Sequence, residues 1–314
     1  MSLEQFCFLV LILVAVHGTP VDETDDEWRI WKLMFGKSYG SLIEESRHRE
    51  TWLEKLNFVQ RSNKVDIHFR VGLNEFSDQK TKPRRLTRVN DVGYPELNVP
   101  GIKSHLTKGA PLSWDWREHG AVSPVKSQLQ TENPEAVVAA ECVESYRVIT
   151  EGRSLLSCSN VEVQQCCLDR GLYNPHVFDC LHVTGLCLNS TYNPNTGTCS
   201  NGTCTSVASV KGGRAVPRDE KLMQTSLLSN PLMVLIDASQ NSFLNYQGGV
   251  YDDSNCSKAL LNHVVQIVGY GTDNGTDYWI CKNSWGPSWG MNGYINIVRN
   301  KNMCGIAEFV TYPI

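Results

Sequence analysis

The sequence predicts an α+β protein: a helical N-terminal segment, then a domain that starts helical and ends as β-sheet. Two observations carry this. In residues 19–110, Trp28, Trp31 and Phe35, and then Trp52, Leu56 and Val59, recur at helical spacing, which lines each set up on one face. In the last third, Leu232 to Ile236, Val264 to Val268, Tyr278 to Lys282 and Gly293 to Val298 are short apolar, β-type runs separated by glycine-rich turns.

In chain order, residues 1–18 read as a secretory signal. The apolar run Phe6 to Val16 is shorter than the ~20 residues a spanning helix needs, and small residues follow it, with a cut expected after Gly18. Asp25, Asp26 and Glu27 sit where a first helical turn favours acids. A second helix is expected from about Leu42 to Asn63. Lys80, Lys82, Arg84, Arg85 and Arg88 form a basic stretch, read as a solvated linker that a protease or a polyanion could engage. The main domain covers 111–314. Within it Asn133 is a good N-cap, Pro134 suits the first helical position and Glu135 places an acid in the first turn, ahead of the run Ala136 to Ala140.

Composition narrows the function. A net charge of −4 and a pI near 6.1 give no electrostatic case for nucleic acid. No later segment is long and apolar enough to span a membrane. Twelve cysteines, one of them (Cys7) in the signal, fit an oxidising compartment, and the odd remainder of eleven requires at least one unpaired thiol. Sequons at Asn189, Asn201, Asn255 and Asn274 agree with a secretory route that ends outside the cell or in the lysosome. Cys142 and Cys281 are expected as buried free thiols, since no CxxC or HxxxH spacing accompanies them; neither metal nor cofactor is expected.

Four segments carry a family resemblance: Ser113 to Arg117, Pro124 to Gln128, Leu261 to His263, and Tyr278 to Gly286 (YWICKNSWG). Together they resemble the papain-like cysteine peptidases of the cathepsin L type. Residues 19–110 resemble that family's inhibitory propeptide. Glu44, His48, Trp52, Lys55, Val59 and Asn63 stand at the spacing E-x3-R-x3-F/W-x2-N-x3-I-x3-N, with His48 and Lys55 departing from it; Gly72, Asn74, Phe76 and Asp78 complete G-x-N-x-F-x-D. The resemblance implies a two-lobed papain-like fold, a helical lobe plus a β-barrel lobe, behind a helical propeptide that covers the cleft.

It also implies roles. His263 is the imidazole, Asn283 its orienting partner, Gln128 an oxyanion donor, and Trp285 the cover over the His–Asn contact. The family's nucleophilic cysteine follows the glutamine by six residues, and here that position is Pro134. Leu129 and Glu132 replace two glycines, Glu135 replaces a tryptophan, and Thr131 replaces a disulfide cysteine whose partner stretch, Leu168 to Gly171, also lacks one. Glu132 or Glu135 is expected near His263, favouring its charged form. A retained bridge joins Cys256 to Cys304, and Cys166 pairs with Cys199 or Cys204; partners for Cys158, Cys167, Cys180 and Cys187 stay open.

The expectation is a monomeric cathepsin L-like protein that has lost peptidase activity. It would bind a peptide or protein in its altered cleft, with a protease or a protease inhibitor among the candidate partners. Two alternatives stand beside it: an active cysteine endopeptidase with another nucleophile, and a propeptide-type inhibitor of active relatives.

Overall fold

The computed structural model describes residues 23–65, 68–80, 87–88, 110–128, 133–171, 174, 176–194, 199 and 204–314. The signal segment, most of the basic stretch and the cleft residues 129–132 lie outside these. Two helices open the described chain, α1 (Glu23–Met34) and α2 (Leu42–Ser62). Ser41 caps α2 by accepting from the Glu44 N–H at 3.2 Å, and the Glu44 carboxylate accepts in return from the Gly40 N–H. The aromatic spacing has its physical outcome in a small separate core. Trp28, Trp31, Trp52 and Leu56 are buried together, with Trp28 stacked on Trp31 at 5.2 Å between ring centroids. Val59 and Phe58 instead pack against the main domain.

Strands and helices of the main body follow: β1 (Phe69–Val71), β2 (Thr87–Arg88), β3 (Trp114–Asp115), α3 (Pro134–Glu151), α4 (Asn160–Cys166), α5 (Val177–Thr184), β4 (Gly213–Val216), α6 (Glu220–Leu227), β5 (Leu232–Ile236), α7 (Asn241–Leu244), β6 (Tyr246–Tyr251), β7 (Leu260–Leu261), β8 (His263–Asp273), β9 (Thr276–Lys282), β10 (Tyr294–Val298) and β11 (Val310–Pro313). One sheet runs in the order β1-β6-β10-β9-β8-β5-β11-β4, with β3 added to β8. Its pairs are antiparallel except β6 with β10. β8 is longer than the five residues expected, because its pairing with β9 continues through Gly271 to Asp273.

Two cores back the two lobes. One lies in the sheet lobe around Trp279, Trp289, Tyr246 and Tyr251. The other joins the inner face of α3 (Ala136, Ala139, Ala140, Val143) to α4, α5 and the β-strand residues Met233 and Val264.

Propeptide and sheet are continuous. β1, from the N-terminal segment, pairs antiparallel with β6, Phe69 opposite Gly249 and Arg70 opposite Gly248. Gly249 has φ +86°, and a Cβ there would fall 2.4 Å from the His68 carbonyl oxygen, so the close approach of β1 excludes a side chain. Asn74 anchors the next turn: its Nδ2 donates to the Leu244 carbonyl at 2.7 Å, and its own carbonyl accepts from Trp31 Nε1 at 3.1 Å. The two departures from the propeptide pattern both make contacts. Lys55 is buried and donates to Asn241 Oδ1 of the main domain, while His48 Nδ1 lies 2.9 Å from the Asp78 carbonyl oxygen.

Four disulfides close the framework: Cys166–Cys199, Cys167–Cys180, Cys187–Cys204 and Cys256–Cys304. Cys166 thus takes Cys199, and Cys204 bonds Cys187. Cys142, Cys158 and Cys281 are free and buried.

The lobes meet across buried charge. Lys282, on β9, donates to Glu141 of α3 at 2.7 Å, and both side chains are essentially inaccessible. Lys126 donates to Glu144 one turn further on, at 2.8 Å. Burial raises the Glu141 pKa, with Lys282 and Lys126 working against that rise. Lys282→Met strands Glu141 without its cation and should cost about 3–5 kcal/mol, whereas Lys282→Met with Glu141→Leu should recover most of the loss. Chemical denaturation of the three proteins checks this; a double variant as unstable as the single one would show that the pair is not the coupling between the lobes.

Candidate active site

The site is built where α3 and β8 converge. Gln266 Nε2 donates to Ser145 Oγ of α3 at 3.3 Å, and Lys282 holds Glu141, which fixes the helix against β8 and β9. Seven residues back along α3 from Glu141 is Pro134, about 10 Å at the helical rise. Three residues back along β8 from Gln266 is His263, also about 10 Å away. Val264 and Ala136 share one core cluster.

His263 is 3% exposed and is the first residue of β8. Its Nε2 lies 2.7 Å from Asn283 Oδ1, and Asn283 directly follows β9. The Ser284 backbone N–H also donates to Asn283 Oδ1, at 2.8 Å, which fixes that atom as the oxygen. In the neutral ring Nε2 therefore carries the proton and Nδ1 is the basic nitrogen. Trp285 lies over the ring at 4.8 Å and is itself wedged between Phe243 and Trp289. Phe76 of the propeptide meets Trp285 edge-on at 6.2 Å.

Gln128 is held beside this group by a short ladder. Its backbone N–H donates to the Ser284 carbonyl at 2.7 Å, its Oε1 accepts from Ser284 Oγ at 2.5 Å, and Gly286 N–H donates to the Lys126 carbonyl at 3.1 Å. Gly286 has φ +84°, and a Cβ there would lie 2.7 Å from Ser127 Oγ, so the ladder needs glycine. Gln128, His263, Asn283 and Trp285 are thus brought into one site through a single run of chain. Ser284, Phe243 and Trp289 were not singled out from sequence. Ser284 and Trp289 lie in or next to the YWICKNSWG run, while nothing in the sequence around Phe243 marks it.

At the head of α3, Asn133 Oδ1 accepts from the Glu135 N–H at 3.0 Å, and Pro134 occupies the first helical position, buried. The Glu135 carboxylate accepts from the Asn174 backbone N–H, and burial pushes its pKa up to about 7. Glu132 lies outside the described residues.

The free thiols offer no thiolate. Burial raises the pKa of Cys142, with Glu141 adding to the rise, and burial alone raises that of Cys281. Cys158 is pushed up to about 12, first by burial and then by Glu144. Away from the cleft, the sequon residues Asn189, Asn255 and Asn274 are exposed, and Asn201 lies outside the described residues. Among the described residues no helix is long and apolar enough to cross a membrane.

Comparison with known proteins identifies the family. Residues 110–314 match the family described as papain family cysteine protease, and residues 28–82 match the cathepsin propeptide inhibitor domain (I29). The chain is 32% identical over 325 residues to cathepsin R of Mus musculus, covering 96% of this chain and 97% of that protein. It is 33% identical over 335 residues to procathepsin L of the same species, covering 98% of each. Digestive procathepsin L 3 from the larval midgut of Tenebrio molitor superposes with a TM-score of 0.78 at 31% identity, covering 93% of this chain and 99% of that one. By these matches the chain belongs to the papain family of cysteine proteases, in its cathepsin L-like group, and carries that group's propeptide domain.

Proposed function

We propose that this chain is a cathepsin L-like protein without peptidase activity that acts by binding polypeptide, and that it travels the secretory route. The observation that carries the proposal is the residue at the head of α3. A thiol peptidase needs a thiolate at the positive end of this helix, beside the histidine base. Pro134 brings neither a sulfur nor a backbone N–H to that position. Losing one oxyanion donor typically costs ~10²–10³ in turnover. Losing the nucleophile of a cooperative triad costs on the order of 10⁶. Because Asn133, Pro134 and Glu135 satisfy the helix start, the exchange is compatible with folding.

The cleft offers extended chain a place to pair. Thr87 and Arg88, the downstream part of the propeptide, form a two-residue antiparallel bridge with Leu261 and Leu260, just ahead of His263. Backbone pairing of this kind is independent of any nucleophile. A peptide, a protease or a protease inhibitor presenting a strand would compete with residues 87–88 for it. A second reading, an active endopeptidase using another nucleophile, draws its support from the retained His263–Asn283 contact and from the Gln128 ladder. The sequons are proposed as glycosylation sites of a secreted or lysosomal protein.

Turnover of a fluorogenic peptide decides between the readings, after an added protease has removed the propeptide and has itself been inactivated. The parent and His263→Ala should be equally silent; cleavage by the parent alone would sink the proposal. Pro134→Cys restores both a thiol and an N–H at the helix head, and should become labelled by a thiol-directed peptide epoxide while the parent stays unlabelled. No labelling of that variant would mean that position 134 is not the nucleophile position.

Glu135 adds a pH dependence. The unfolded chain releases this proton near 4.5, the folded chain near 7. Between these values the folded state binds more protons, so stability falls as pH rises, by up to about 3 kcal/mol. Glu135→Gln keeps an acceptor for Asn174 and should flatten that fall, making the variant the more stable protein at pH 7.5. Denaturation midpoints at pH 5 and 7.5 test this, and parallel profiles for the two proteins would refute it.

A further inference from the structure

The sequons look alike as sequence, and the fold separates them. Asn189, Asn255 and Asn274 are all exposed, so exposure does not choose between them. Their hydrogen bonds do. Asn274 stands at the tip of the β8–β9 hairpin with φ +46°, and its side chain meets no partner among the described residues. Asn189 donates its backbone N–H to the Ser157 carbonyl at 2.9 Å, and its side-chain amide likewise meets none among them. Asn255 is held. Asp253 Oδ1 accepts from its backbone N–H and from its Nδ2, each at 2.9 Å, and the Asn255 carbonyl accepts from Gln240 Nε2 at 3.1 Å. The middle residue of that sequon, Cys256, is bonded to Cys304, and its N–H donates to the Asp253 carbonyl at 3.0 Å. The sequon hydroxyl, Ser257 Oγ, accepts the N–H groups of Ala259 and Leu260 at 3.1 and 2.9 Å. Glycan is added to the chain as it is made, so only local structure can compete with the transfer. Here the competing bonds span one to three residues, the range over which Asp and Ser side chains form turns of their own.

We propose that Asn189 and Asn274 carry glycan and that Asn255 stays bare, its amide clamped by Asp253. The inference rests on the secretory reading above and narrows its sequons. Where transfer occurs, the side-chain nitrogen gives a proton to solvent and bonds to the anomeric carbon of a lipid-linked oligosaccharide diphosphate. The bond from that carbon to the phosphate breaks, and the lipid diphosphate leaves with its electrons. The nitrogen must be able to turn toward that carbon, and the hydroxyl two residues on is part of the motif. At Asn255 both groups are engaged. A bare Asn255 matters to the surfaces beside it. Ser257 bonds the first residue of β7, the strand that pairs with residues 87–88. Gln240 precedes Asn241, which receives Lys55 of the propeptide. A branched sugar at Asn255 would stand beside both surfaces on which polypeptide is paired, and its omission keeps them open.

The test expresses the full chain in cultured animal cells and removes glycan with an amidase in heavy-oxygen water. Each occupied asparagine becomes a labelled aspartate, which peptide mass mapping locates. Asn189 and Asn274 should be labelled and Asn255 unlabelled. Asp253→Ala removes the clamping oxygens and should bring label to Asn255 at an occupancy comparable with that of Asn274, read on the total chain whether or not it is exported. Asp253→Asn keeps an acceptor oxygen and should leave Asn255 bare. Label on Asn255 in the parent or in Asp253→Asn, no label at Asn189 or Asn274, or an Asp253→Ala variant as bare as the parent would each overturn the proposal. A version led by another protein's secretory signal is mapped in parallel. Export of that version alone would count against the secretory reading of residues 1–18, while its site pattern still decides this inference.

Discussion

The buried ammonium of Lys282 on Glu141 is the contact on which the rest of the architecture depends. It sits where β9 ends, and the four residues that follow each reach a different part of the molecule. Asn283 accepts from His263, Ser284 takes both backbone and side chain of Gln128, Trp285 covers the imidazole, and Gly286 lets the 126–128 segment lie alongside. A shift of one residue in β9 would turn Lys282 out of the interface and Asn283 away from the histidine, since strand side chains alternate faces. The charge on Lys282 makes such a slip costly, because Glu141 would be left buried without its cation.

The same geometry would let the frame persist without the chemistry. The groups that hold the site together are packing and hydrogen-bonding groups of the sheet lobe, and none of them depends on what stands at position 134. The head of α3 is locally well made: a side-chain cap from Asn133, a proline that surrenders an N–H the helix could not have used internally, and an acid in the first turn. Folding therefore exerts little pressure against proline there.

The propeptide is bound through residues other than Pro134. It contributes a strand to the main sheet, lays Phe76 against the tryptophan that covers His263, and inserts Lys55 against Asn241. A protein without self-cleaving activity would keep this segment until another protease removed it, with the cleft strand β7 paired to the chain's own residues 87–88 in the meantime.

Much of this was legible in the sequence. Periodicity located α2 and strands β5, β8, β9 and β10, because apolar spacing follows directly from which face is buried. Cap chemistry located the head of α3, since Asn133 and Pro134 act over one or two residues. The local motifs named His263, Asn283, Gln128 and Trp285. What the sequence left open were choices that depend on long-range packing. Cys166 could have taken Cys199 or Cys204, and the bond between Cys187 and Cys204 left it Cys199. The Glu135 carboxylate found the Asn174 backbone N–H, 39 residues away. Phe243 entered the aromatic cage, and Glu141 and Glu144 met their lysines, across 18 to 141 residues of chain that no local pattern connects. The sequence by itself determined the family and the elements that periodicity or a cap marks, because those rest on local preference and short motifs. Only the tertiary structure decided the disulfide partners, the charge contacts between the lobes and the surroundings of each buried acid, because these depend on which distant surfaces exclude water together.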